Sequence, residues 1–233
     1  MIMIFKRISF FCFLITTSAA LHAQSLRDIV VDQWKVKSFY SDQSKVDYSL
    51  TLLSYEVNGV TYNADQSSLL TISFEPDRNF DPGFKGVIAF KNESKDTLRL
   101  SNIVPFGRSE KNVYITGLGN HRLSRTHLFL PHRKPVNIIV PDNAWELGYS
   151  GIRLNDTLSV FGFTRRVDSS LKNIKQKRFE TILAPGGSVS YLFYADFYKG
   201  EWQEGLRKVF QERYLYDLTS FDESQAVAHR SSR

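Results

Sequence analysis

The chain has 233 residues, of which 42% are hydrophobic, 14% aromatic and 23% charged, with a formal net charge of +6. That balance belongs to a globular chain with ample apolar material for a core, and it excludes intrinsic disorder, collagen and coiled coil. The single cysteine, Cys12, falls in a leader-like opening segment, so disulfides and thiolate metal sites are not expected to hold the rest together.

That opening segment reads as a secretory signal. It has the basic pair Lys6-Arg7, an apolar stretch over 8–20 too short to span a bilayer, and small residues leading to Ala23. Cleavage is expected after Ala23, with Ala20 as the other candidate, giving a secreted or periplasmic product. Losing Lys6 and Arg7 brings the net charge to +4. The remaining basic residues are spread along the chain without interleaved aromatics, so no nucleic-acid partner is expected. No second long apolar run follows, so no membrane partner is expected after cleavage. At this size a fold buries about 70% of the surface its unfolded chain exposes, enough to stand without staples.

After the signal, short runs rich in β-branched and aromatic residues alternate with turn residues roughly every ten positions, which predicts an all-β antiparallel sandwich. Asn58-Gly59, set between Tyr55-Glu56-Val57 and Val60-Thr61-Tyr62, readily takes the positive φ values of a tight hairpin turn. Residues 70–74 alternate apolar and polar as a half-buried strand does, and Glu75-Pro76 is expected to end it. Asp77-Arg78-Asn79-Phe80-Asp81 begins like a calcium loop, but Pro82 holds the glycine position and Ile88 that of the bidentate glutamate. Residues 86–91 and 97–106 are expected to be neighbouring strands of a second hairpin across the polar turn 92–96. Further strands are predicted at 113–116, 136–140, 158–164 and 179–183. Pro185-Gly186-Gly187-Ser188 then turns the chain into a strand at 189–193. Asn92-Glu93-Ser94 and Asn155-Asp156-Thr157 are glycosylation sequons, which favour exposed turns.

The period changes near the end. Over 201–217 the apolar residues Trp202, Leu206, Val209, Phe210 and Tyr214 recur at spacings of three and four, which predicts one amphipathic helix packed on the sandwich. The expected organisation is a signal at 1–23, a sandwich at 24–197, a helix and linker at 198–222, and a disordered tail at 223–233.

Residues 117–134 gather three of the four histidines that follow the signal: His121, His127 and His132. Their spacings of six and five match no ligand pattern, so no metal is expected. Arg125 and His127 suit a hydrogen-bonding loop that docks on a sugar or a partner domain, or a solvated connection. Asp142, Asn143, Trp145 and Tyr149 then bring together indole and phenol rings, a carboxylate and an amide, the parts of a sugar platform and equally of ordinary packing. Asp142 and Glu146 are the pair to test for glycoside hydrolysis, which needs an acid and a base at a set separation. Gly117-Leu118-Gly119 lacks the third glycine of a dinucleotide loop, and Gly148-Tyr149-Ser150-Gly151 is one residue short of a nucleophile elbow. No cofactor is expected.

The signal ending at Ala23-Gln24, the segment from Ala184-Pro185-Gly186-Gly187 to Tyr191, and Phe197-Tyr198-Lys199-Gly200-Glu201-Trp202-Gln203-Glu204-Gly205-Leu206 resemble the amino-terminal part of secreted bacterial glycoside hydrolases of the α-galactosidase (melibiase) type. The resemblance implies a large sandwich, supersandwich-like, that precedes a (β/α)8 catalytic barrel, with a helix carrying a tryptophan and a Gly-Leu pair as the bridge. Trp202, Leu206 and Phe210 would then face the barrel. A barrel takes about 250 residues and carries its own catalytic carboxylates, so no catalytic residue transfers to this chain. The function implied is a secreted non-catalytic sandwich that positions or binds carbohydrate, a galactoside or a plant or host glycan, beside a missing or separate barrel. A stand-alone carbohydrate- or protein-binding module and a small glycosidase using Asp142 and Glu146 are the alternatives.

Overall fold

The computed structural model describes residues 25–77, 83–117, 126–134, 136–138, 148–167, 174–176 and 180–211. The expected signal and tail lie outside them. In chain order the elements are β1 (Asp28–Asp32), β2 (Lys35–Tyr40), β3 (Lys45–Thr51), β4 (Leu53–Val57), β5 (Val60–Asn63), β6 (Leu70–Asp77), β7 (Phe84–Asn92), β8 (Leu98–Pro105), β9 (Val113–Gly117), β10 (Thr126–Phe129), β11 (Val136–Ile138), β12 (Gly148–Arg153), β13 (Ser159–Arg166), β14 (Ile174–Gln176), β15 (Glu180–Leu183), β16 (Ser188–Tyr198) and α1 (Trp202–Gln211). They form an eight-stranded sheet ordered β11-β10-β9-β12-β13-β16-β7-β6, a five-stranded sheet ordered β14-β15-β8-β4-β5, and a three-stranded sheet ordered β1-β2-β3. The expected all-β antiparallel sandwich is what the chain adopts, with one short helix among the described residues, near the carboxyl end.

The two larger sheets enclose an aromatic core. Tyr55 on β4 meets Phe90 on β7 edge-on at 5.3 Å, and Phe106 meets Phe193 on β16 at 5.7 Å. The three-stranded sheet adds Val36 and Phe39 to the same core, Phe39 standing edge-on to Phe106 at 5.6 Å. Offset and edge-to-face arrangements suit the ring quadrupoles, and each such pair adds about 1 kcal/mol beyond the area it buries.

Local chemistry set the elements that were legible. Asn58 (φ 52°) and Gly59 (φ 83°) close the β4–β5 hairpin in the predicted register, with Val57 opposite Val60 and Tyr55 opposite Tyr62. Gly186 takes φ 75° after Pro185, and Gly187 N–H donates to Ala184 O at 2.9 Å, as a type II turn requires. Strand β6 departs from the expectation: it runs through Glu75-Pro76 to Asp77, with Pro76 opposite Gly86. It is the outermost strand of its sheet, where a missing N–H leaves no ladder bond unmade.

The expected second hairpin does not form. Strand β7 pairs with β6 and β16, whereas β8 pairs with β4 and β15, so 92–96 arches from one sheet to the other. Asn92 is the cause. It is fully buried, its Nδ2 donates to Asp96 O at 2.7 Å and Leu183 O at 2.9 Å, and its Oδ1 accepts from Ser94 N–H at 3.0 Å and Ser94 Oγ at 2.7 Å. Its backbone exchanges bonds of 2.9 Å with the β15–β16 turn, Asn92 N–H to Gly187 O and Gly186 N–H to Asn92 O. The turn itself is exposed at Glu93, Lys95 and Asp96, but Asn92 is buried and its amide nitrogen is occupied in the folded protein. Asn155 of the other sequon is exposed.

Replacing Asn92 by Ala strands a buried carbonyl and unties both arches. Stability is expected to fall by about 3 kcal/mol, read as a lower urea midpoint at unchanged slope.

Candidate functional site

Most of the anticipated sugar-binding residues fall outside the described residues: Arg125, Asp142, Asn143 and Trp145 do, as do Glu146 of the candidate hydrolytic pair and His121. The backbone of His127 is in β10, paired with Thr116 on β9 and Asn137 on β11, while its side chain is outside the described set. Tyr149 can be placed, and it is no platform. It sits on β12 between β9 and β13, fully buried, its ring nearly parallel to that of Phe161 at 6.5 Å. Both faces of β12 are covered, so the phenol offers no face to a sugar.

Its hydroxyl instead donates to Trp202 O at 3.2 Å, at the start of α1. Helix α1 forms where the apolar spacing predicted it, with Glu204 in its first turn and Lys208 in its last, each favourable to the helix dipole. Described helix ends at Gln211, so the predicted extension over 212–217 lies outside the described residues. Val209 is buried, and Trp202 and Leu206 are half-buried against a second apolar cluster built on Tyr149, Phe161 and Tyr198. Trp202 and Leu206 thus pack on the chain's own sheet. Phe210 is within the helix, and its side chain is outside the described set.

The close approach depends on Gly205. A Cβ there would stand 2.7 Å from the Tyr149 hydroxyl and 3.0 Å from the Tyr198 ring. Burial pushes the Tyr198 hydroxyl up to about 12 and the Tyr149 hydroxyl well above its usual 10. Both are therefore neutral in the folded protein.

A buried carboxylate fastens the same junction. Asp196 on β16 is 1% exposed; its Oδ1 accepts the N–H of Leu26 at 2.9 Å and of Phe197 at 2.8 Å, and Tyr194 donates its hydroxyl to Oδ2 at 3.5 Å. Lys208 of α1 places Nζ 3.9 Å from Oδ2 and donates to Phe197 O at 3.1 Å. One carboxylate thereby ties the first described residues, the last strand and the helix together. The sequence reading did not anticipate the alliance of Asp196 with Lys208, which spans elements that no local pattern connects.

A second polar cluster lies across β4 and β8. Glu56 accepts from Arg108 NH1 at 2.8 Å, Asn102 Nδ2 at 2.7 Å and Ser101 Oγ at 3.2 Å, and Asn102 takes φ 49° where the β4–β8 register shifts. Both carboxylates are thus enclosed by donors from their own chain, an arrangement that fixes strands and leaves no acid–base pair around an open space. Among the described residues, no cluster of three or more His, Cys, Asp or Glu could hold a metal ion, and no helix is long and apolar enough to cross a membrane.

No protein-family model matches the chain, and no curated protein matches it. Among solved structures, a polysaccharide lyase is similar with a TM-score of 0.39 at 11% identity, over 77% of this chain and 33% of the lyase. The chain thus spans about a third of that enzyme's length.

Two measurements probe the junction. Gly205→Ala should lift α1 and cost about 1–3 kcal/mol despite the better helix propensity of alanine, seen as faster amide exchange over 202–211. The buried tyrosines set a pH limit. Unfolded tyrosine ionises near 10 while folded Tyr198 resists until about 12, so their stabilisation is complete below pH 10 and is lost as pH rises toward 12. Urea midpoints across that window should fall steeply, and less so in Tyr198→Phe.

Proposed function

We propose that the chain is a secreted, non-catalytic β-sandwich domain that positions or binds carbohydrate beside a catalytic barrel, the barrel being linked or separate, as in glycoside hydrolases of the α-galactosidase type. The observation that carries this reading is the junction. Strand β16 passes through Lys199-Gly200-Glu201 directly into α1, and Trp202, Gly205 and Leu206 seat that helix on the sandwich. These are the positions at which the sequence resembles the bridge between sandwich and barrel. A helix clasped this firmly, by Tyr149, Asp196 and close packing at Gly205, would transmit the orientation of the sandwich to whatever it meets. The partner would meet the outer side of the helix, where Gln203 and Arg207 are exposed beside what remains open of Trp202 and Leu206.

In this reading Arg125, His127, Asp142, Asn143 and Trp145 bind the carbohydrate, and the segment ending at Ala23 directs export. The internal commitments of Asp196 and Glu56 favour binding over hydrolysis.

Purified protein should bind galactosides or plant polysaccharides in calorimetry, and Trp145→Ala should reduce the heat. It should not turn over nitrophenyl galactosides. Hydrolysis at an appreciable rate, lost in Asp142→Asn or Glu146→Gln, would establish the small-glycosidase alternative and overturn this reading.

A further inference from the structure

The β1–β2 hairpin turns on Gln33 and Trp34, with φ 46° and 67°, and closes with Asp32 opposite Lys35. A two-residue turn with positive φ at both central positions favours Asn-Gly, which the β4–β5 hairpin uses. A tryptophan held there strains the backbone. Deep burial does not offset that strain, because the ring is only half-buried, meeting Phe74 at 6.5 Å and 47°. The Trp34 carbonyl accepts from Leu52 N–H at 2.7 Å, while the indole N–H donates to none of the described residues. Trp34 packs one side against the core and leaves the rest of its ring open, and a strained backbone that holds a large ring in that half-buried position points to use of the open side.

Two depressions share Gln33 and Trp34 in their walls. One, of about 410 Å3, is completed by Lys35, Asp65, Gln66 and Ser67; the other, of about 400 Å3, has Val30, Val31, Phe74 and Pro76 as its apolar wall and Asp28 at its side, whose Oδ1 accepts the Ile29 N–H at 2.8 Å. Lys35 Nζ lies 3.5 Å from Asp65 Oδ2, so the polar wall presents dipoles and hydroxyls but little net charge. The Gln66 Oε1 accepts Asn63 N–H at 2.7 Å, which fixes the amide and leaves its NH2 as a donor.

We propose that Trp34, with Gln33, Asp65, Gln66 and Ser67, forms a binding subsite for an uncharged pyranose chain. It uses none of Arg125, His127, Asp142, Asn143 and Trp145, and shares with the preceding reading only the class of ligand. A pyranose has the matching two-sided chemistry: a C–H face to lie on indole and on the apolar wall, and hydroxyls at its edge to exchange bonds with amides, carboxylate and Ser67. The paired Lys35 and Asp65 do not select an ion. An added peptide strand fits less well, since Pro76 on the outermost strand supplies no N–H.

The test is a calorimetric and fluorescence titration of the full chain with neutral galactan, gluco- and xylo-tetrasaccharides. Trp34→Ala should weaken binding by about tenfold or more, the loss expected for a central aromatic anchor. Because that variant could unfold, Gln33→Asn combined with Trp34→Gly supplies the residues the turn prefers and should keep the fold while losing the sugar. Trp145→Ala should leave sugar-dependent fluorescence of Trp34 intact. Unchanged affinity in the folded double variant would overturn the subsite. So would loss of all binding in Trp145→Ala alone, which would support the Trp145 site instead. Failure of the native chain to bind any of these sugars, or binding of an extended peptide in their place, would also overturn it.

Discussion

The hydrogen bonds of one buried amide hold the sandwich in register. The chain passes between the two large sheets after β7 and again before β16, and both passages converge on Asn92. Backbone bonds to Gly186 and Gly187 and side-chain bonds to Asp96 and Leu183 leave Asn92 in contact with both arches at once. Each of those groups, removed from water, would cost on the order of 1–3 kcal/mol if left unpaired. Strand β7 lies beside β16, and β8 beside β15, so this clasp fixes the relative heights of the central strands in both layers.

The registers that follow place aromatic rings on both faces of the eight-stranded sheet. Along β16, Tyr191, Phe193 and Phe197 belong to the core between the sheets, whereas Tyr194 and Tyr198 belong to the cluster under α1. Alternation along a strand thus feeds two cores from one segment. It also explains why β13 and β12 read as nearly continuous buried runs: both of their faces are covered.

Where a turn used the residues its backbone prefers, the sequence was readable: Asn58-Gly59 and Pro185-Gly186 marked their turns and fixed the strands beside them. The amphipathic spacing of Trp202, Leu206 and Val209 likewise disclosed α1. The 92–96 segment was misread because a polar turn between two apolar runs looks the same whether it joins neighbours in one sheet or arches between two; the difference lies in long-range partners such as Leu183. The three-stranded sheet went unseen because Gln33-Trp34 breaks the usual turn chemistry, so Trp34 carried no local mark. Tyr149 looked like a surface ring beside Trp145, but the strands on either side of β12 and the helix above it close it off. Asp196 was invisible for the same reason, its partners Leu26 and Lys208 being far apart in the chain.

Strand β6 is the outermost strand at one margin of its sheet, the situation that invites one molecule to recruit a strand from another. Its last three residues, Glu75, Pro76 and Asp77, put two carboxylates and a residue without an amide hydrogen along that rim. An incoming chain would meet repulsion from its own like-charged copy and an interrupted ladder. The outer margin of the sheet is thereby shielded from templating fibrils, although the strand itself remains long enough to cover the aromatic interior.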